Sequence, residues 1–151
     1  MTHLCTFFAA GVPVPQPRPR VSTRGGFARA YVPSKHAVHE WRQAVTEAFH
    51  GPVVGPYTAR ACGVDIAVFL PRPKSHFRTG RFGHLVKDAA PRHPCARGTG
   101  DGDNYAKAVL DALEGQAFGD DSQVCDLTVR KRYATEESPP GVRVSIYTID
   151  P

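Results

Sequence analysis

The sequence predicts a single α/β domain over residues 1–151, with a mixed sheet of about four to five strands and two main helices. Two stretches place apolar residues at helical spacing, and several short runs rich in β-branched and aromatic residues lie between Pro and Gly stops. A chain of 151 residues with 41% hydrophobic content fits one compact domain with its own core.

In chain order, residues 4–10 form an apolar, aromatic run that reads as a first strand, ended by Gly11. Pro13, Pro15, Pro17 and Pro19 then forbid helix and favour an extended arm through Arg20. Residues 23–26 read as a turn and 27–32 as a short returning strand. Ser34 is placed to cap a helix over residues 35–50, with Val38, Trp41, Val45, Ala48 and Phe49 as its buried stripe. Residues 51–57 read as a Pro- and Gly-rich loop. Residues 61–70 are nearly all apolar, as expected of a central strand, and Pro71 and Pro73 end it.

Residues 71–100 lack periodicity and read as one long basic loop, of the kind that is functional or mobile. Asp103 or Asn104 caps a second helix to about Glu114, with Ala106, Val109, Leu110 and Leu113 on one face and Gly115 as its stop. A turn at residues 118–121 leads to a strand over 123–133. A turn at 136–141 leads to a last strand over 142–149.

No apolar stretch is long enough to cross a membrane, and the N-terminal run lacks the basic region of a signal peptide, so a cytoplasmic protein is expected. The four cysteines, at 5, 62, 95 and 125, include no close pair of the kind zinc sites use. They read as reduced thiols. The nine- and eight-residue spacings of His76, His84 and His93 are equally unsuited to zinc. The G-x-G pairs do not follow a strand in a βαβ unit, so no dinucleotide or other small organic cofactor is expected.

The net charge of +5 is unevenly spread. Five basic residues precede the first acidic one, Glu40. Residues 71–100 hold seven basic residues against Asp88 alone, and after Gly100 there are ten acidic against five basic residues. A basic front and a carboxylate-rich back suit an enzyme that grips a polyanion and cleaves it with a metal ion. An unevenly charged, solvated surface would show the same pattern.

The densest chemistry lies in Gly98-Thr-Gly-Asp-Gly-Asp-Asn-Tyr-Ala-Lys107, then Asp111, then Gly119-Asp-Asp-Ser-Gln-Val124. In an extended segment residues two apart point the same way, so Asp101 and Asp103 can converge on one cation. A strand returning beside the helix can bring Asp121 to them, making an oxygen-ligand magnesium site. Each residue also has a plain structural reading. Asp103 suits a helix cap, Asp101 a turn between glycines, and Asp120-Asp121 a second turn. Lys107, four residues from both Asp103 and Asp111, suits surface ion pairs, and Asp111 is assigned to that role alone.

The segment DGDNYAKAVLDALEGQAFGDDSQV resembles the signature of the RusA-type Holliday junction resolvases: D-x-D-N-x-x-K, an A-x-x-D-A-L helix and a D-D-x-Q-V turn. The likeness extends to VPVPQPRPR at 12–20 and FLPRPKSH at 69–76, three separated places in the right order. The resemblance implies a RusA-like fold and a hydrolase of DNA phosphodiesters. This would be an endonuclease of DNA recombination and repair that resolves four-way junctions by paired symmetric nicks. It implies catalytic Asp101, Asp103, Lys107 and Asp121, with the three aspartates as metal ligands for Mg2+ or, in substitution, Mn2+. It also implies a homodimer acting on branched DNA. Arg18 and Arg20 of the proline arm, and Arg72 and Lys74, are the expected DNA-backbone contacts. The family often carries Pro or a basic residue before the first aspartate, where this chain has Gly100. The glycine-heavy GTGDG stretch predicts a flexible metal loop. Two other functions compete: a non-catalytic junction- or DNA-binding protein of the same fold, and a hydrolase of small phosphates.

Overall fold

A computed structural model describes residues 1–51 and 57–149. The remaining part of the expected 51–57 loop, residues 52–56, lies outside the described residues. Four strands form one sheet: β1 (Thr2–Ala10), β4 (Cys62–Leu70), β5 (Val124–Tyr133) and β6 (Gly141–Thr148), in the order β1-β6-β4-β5. β6 runs antiparallel to both β1 and β4, whereas β5 lies parallel to β4. The expected mixed α/β architecture is present, with four strands in the sheet. Its central strands are the two most apolar runs: Val64, Ile66 and Val68 of β4 and Val142, Val144 and Ile146 of β6 are almost fully buried.

The expected returning strand at 27–32 is present but short, and it lies outside the main sheet. Arg29–Tyr31 (β3) pairs with Arg20–Ser22 (β2) in a separate two-stranded hairpin. The proline arm thus ends in a strand that sequence reading left as extended chain. A hairpin partner completes it, and a three-residue strand has no apolar signal of its own.

The helix α1 (Val38–Phe49) starts three residues later than expected, and Ser34 does not cap it. Residues 33–39 make two consecutive turns, His36 N–H to the Pro33 carbonyl and His39 N–H to the His36 carbonyl. The His36 Nδ1 then accepts the Val38 N–H at 3.1 Å, taking the place of an oxygen cap. Val38, Trp41, Val45 and Phe49 are buried as the spacing predicts. The second helix, α2 (Gly102–Leu113), packs beside α1 and along the β5 side of the sheet. The parallel β4–β5 pair needs a crossover, and residues 71–123, with α2 inside them, supply it. α2 therefore begins beyond the carboxyl end of β4, the end at which open α/β sheets place their ligands.

The long segment 71–100 is internally bonded. It contains 3-10 turns at Lys74–His76 and Gly80–Phe82. A bridge joins Phe77 to Val86, with Arg78 N–H to the Leu85 carbonyl and Lys87 N–H to the His76 carbonyl, both at 2.8 Å. No helix among the described residues is long and apolar enough to cross a membrane.

Candidate active site

Asp101 stands at the junction of the Gly-rich loop and α2. Its backbone is extended (φ −89°, ψ 142°), and Gly102 already begins the helix. Asp103 is thus in the first helical turn. The alternation that would bring the Asp101 and Asp103 side chains together holds only within extended chain, so it does not apply across this boundary. Asp101 lines a cleft of about 610 Å³ bounded by Val14, Pro17, His36 and Asn104. Asp103 lines a neighbouring hollow of about 460 Å³ with Lys107, Leu110, Leu127 and Val129. Neither carboxylate has a cationic partner among the described residues, and Asp103 accepts the Asn104 N–H at 2.9 Å.

Lys107 follows Asp103 by one helical turn. Its ammonium donates to Asp121 Oδ2 and is paired with Asp111 Oδ1, each at 2.9 Å. The hydrogen bond from Asp121 first, and that from Asp111 second, raises the lysine well above its ordinary pKa. It is a fixed positive charge rather than a base at neutral pH. Asp111 also accepts from Arg42 of α1 at 2.8 Å, so the expected surface ion pair of Asp111 is part of a half-buried link between the two helices.

Asp121 opens the 3-10 turn Asp121–Gln123 that precedes β5. The two aspartates of the D-D pair have different surroundings. Asp120 accepts the Ser122 N–H at 2.8 Å, and hydrogen bonds from the Ser122 side chain first and its backbone second hold its carboxyl below the usual range. The Gln123 side chain closes the turn from the other side, accepting N–H groups of Gly119 and Asp120 and donating to the Thr58 and Arg60 carbonyls. Asp120 is therefore the cap, and Asp121 is the one that meets Lys107.

The expected meeting of three carboxylates is not present. Among the described residues no three His, Cys, Asp or Glu side chains stand close enough to hold one metal ion. α2 spans about 18 Å at 1.5 Å per residue. Asp101 stands at its start, whereas Asp121 enters β5 from the opposite end, and only the long Lys107 side chain bridges the interval. The donors fit Mg2+ in kind, since all are carboxylate oxygens and two have no competing cation. Asp121 fits only if its bond to Lys107 opens.

The Gly-rich loop is not loose. The Thr99 hydroxyl donates to the Pro94 and Ala96 carbonyls, the Tyr105 hydroxyl to the Thr99 carbonyl at 2.8 Å, and the Lys131 ammonium to the Gly100 carbonyl. Gly100 has φ +83°, and a Cβ there would fall 2.7 Å from Tyr105. Only glycine suits this close approach. Tyr105, Lys131, Arg42 and Gln123 escaped sequence reading. Gln123 alone had a local signal, three residues after a capping Asp.

The expected DNA contacts differ in availability. Arg18 and Arg20 are exposed on the arm and hairpin, and Lys74 is exposed on its 3-10 turn. Arg72 is half-buried: it lies 4.2 Å from the Tyr133 ring centroid and donates to the Pro91 carbonyl at 2.7 Å. That makes it a brace of the 71–100 segment rather than a free cation.

The family described as Endodeoxyribonuclease RusA matches residues 10–147. The chain is also similar to the uncharacterized protein YqaN of Bacillus subtilis (strain 168), with 35% identity over 143 residues, covering 93% of each chain. The match spans the arm, the Gly-rich loop, α2 and the Asp121 turn, and on it this chain belongs to the RusA endodeoxyribonuclease family.

Proposed function

We propose that this protein is a Mg2+-dependent, structure-selective endodeoxyribonuclease that resolves four-way junctions by paired symmetric nicks during DNA recombination and repair. The observation that carries the reading is the 2.9 Å contact of Lys107 with Asp121, which joins the two halves of the family motif across 14 residues. Asp101, Asp103 and Asp121 would hold the cation, with Mn2+ as a substitute. When bound, it supplies an activated water and offsets charge on the phosphate. Lys107 stays an ammonium and stabilises negative charge that builds on the phosphoryl oxygens. Arg18, Arg20 and Lys74 grip the backbone, and Arg72 keeps the 71–100 segment in shape beside them. A homodimer suits the substrate, since a two-fold axis presents two equivalent sites to a nearly two-fold junction. The protein would act in the cytoplasm, with branched DNA as its partner.

Asp101→Asn is expected to abolish Mg2+-dependent nicking of a synthetic four-way junction while leaving junction binding in EDTA nearly unchanged. Undiminished nicking by this variant would overturn the site assignment. The separation of Asp121 from Asp101 favours a second reading, a non-catalytic junction-binding protein. A wild-type protein that shifts junction DNA in a gel and yields no product in millimolar Mg2+ or Mn2+ would establish it.

A further inference from the structure

The β2–β3 hairpin is not part of the main sheet, and nothing among the described residues covers it. Residues 23–31 are all exposed, and Phe27 at its tip retains 74% of its free surface, Val21 69% and Tyr31 46%. Isolated exposed apolar residues are common, but three on one small projection call for a partner. The turn is well defined: Gly26 N–H donates to the Thr23 carbonyl, and Gly25 and Gly26 take φ of 85° and 83°.

Both stems of the hairpin start on the walls of the cleft that contains Asp101. Val14 to Pro17 line one side, His36 and Ala37 line another, and Gln16 N–H donates to the Asn104 carbonyl at 2.8 Å. The hairpin thus rises from the rim of that cleft. Its charge is of one sign. Arg18, Arg20, Arg24 and Arg29 lie on or beside it, and no acidic residue precedes Glu40. None of these guanidinium groups has an ion-pair partner among the described residues. The register sets Arg20 opposite Tyr31 and Ser22 opposite Arg29, so one face carries two cations beside one aromatic ring.

We infer that this hairpin is a branch-point wedge: Phe27 stacks on a nucleobase exposed where DNA arms diverge, while Arg20, Arg24 and Arg29 hold the flanking phosphates. Arginines alone would serve for duplex, whose base faces are hidden in the stack. An exposed aromatic ring gains only where a base is unpaired or cheaply unstacked, as at a branch. The inference rests on the junction-nuclease reading and supplies its selectivity for structure.

The test measures binding in EDTA, so its outcome does not depend on nicking. Phe27→Ala removes an exposed ring and leaves the core intact. On a labelled four-way junction it is expected to weaken binding by about 5- to 150-fold, the range that one base–aromatic stack provides. Binding to linear duplex of the same length should scarcely change, and Phe27→Trp should restore the junction preference. Equal losses on both DNAs, or no loss on either, would overturn the wedge. So would conversion of a dimer to a monomer by Phe27→Ala in sedimentation equilibrium, which would make a second copy the occupant. A failure of Asp101→Asn to affect nicking would instead strike the nuclease site and leave this result standing.

Discussion

The turn that carries Asp121 and the loop that carries Asp101 are held by different kinds of bond. In the first, Asp120 caps Ser122 and Gln123 caps Gly119 and Asp120 from within five residues, while the Gln123 amide also ties the turn to the Thr58 and Arg60 carbonyls. In the second, Gly100 is held by Lys131, 31 residues away on β5, and Thr99 by Tyr105 from inside α2. One carboxylate sits on a turn capped by its own side chains, and the other on a loop whose backbone is gripped by side chains of the assembled sheet and helix. A glycine-rich loop next to a site is not thereby flexible. Here the glycine lets Tyr105 and Lys131 approach the backbone.

The largest expected effect that separates the two is at Gly100. Gly100→Ala puts a side chain at positive φ, a cost of about 1–3 kcal/mol, and drives its Cβ to within 2.7 Å of the Tyr105 ring. Urea unfolding should show a loss at least that large. A wild-type midpoint would mean the loop is not gripped as described.

Lys131→Met and Gln123→Ala form a smaller, paired test. Each is expected to cost about 1–2 kcal/mol, the scale of lost hydrogen bonds to partly buried backbone groups. Amide hydrogen exchange should rise at residues 98–101 in the first variant and at 119–123 in the second. Exchange that rises at both places in either variant would show that the two loops open together, and the contrast would fail.

The smallest effect concerns pH. The lysine at 107 has its pKa raised by Asp121 and Asp111. What its ion pairs contribute to stability is therefore fully present below about 10.4, the ordinary lysine value, and is lost only as pH rises through the higher folded value. An NMR titration following the Lys107 Cε signal should show no inflection below about pH 10.4. An inflection at or below the ordinary value would remove Lys107 from its place between the two carboxylates.

Much of the fold was legible because it is periodic. Ala106, Val109, Leu110 and Leu113 mark the buried face of α2, and the apolar run ending at Leu70 marks the central strand. The start of α1 was misplaced because Ser34 resembles a cap, while the bond that does the capping comes from His36. The β2–β3 hairpin was missed in part because its residues are exposed and carry no alternation. At the site, residue identities and their order along the chain were legible, but their mutual distances were not.

By itself the sequence determined the main-sheet strands, the two helices, the charge asymmetry and the motif residues, since these follow from local periodicity and from which side chains are present. Only the tertiary structure decided which of the two adjacent aspartates meets Lys107, and that Arg72 is a brace while Arg20 is free. It also decided that Asp101 stays in extended backbone while Asp103 enters the first turn of α2, and that the two line different hollows. These outcomes depend on where the crossover brings one strand end beside one helix end, and a side chain's reach across that gap has no signature in the residues that flank it.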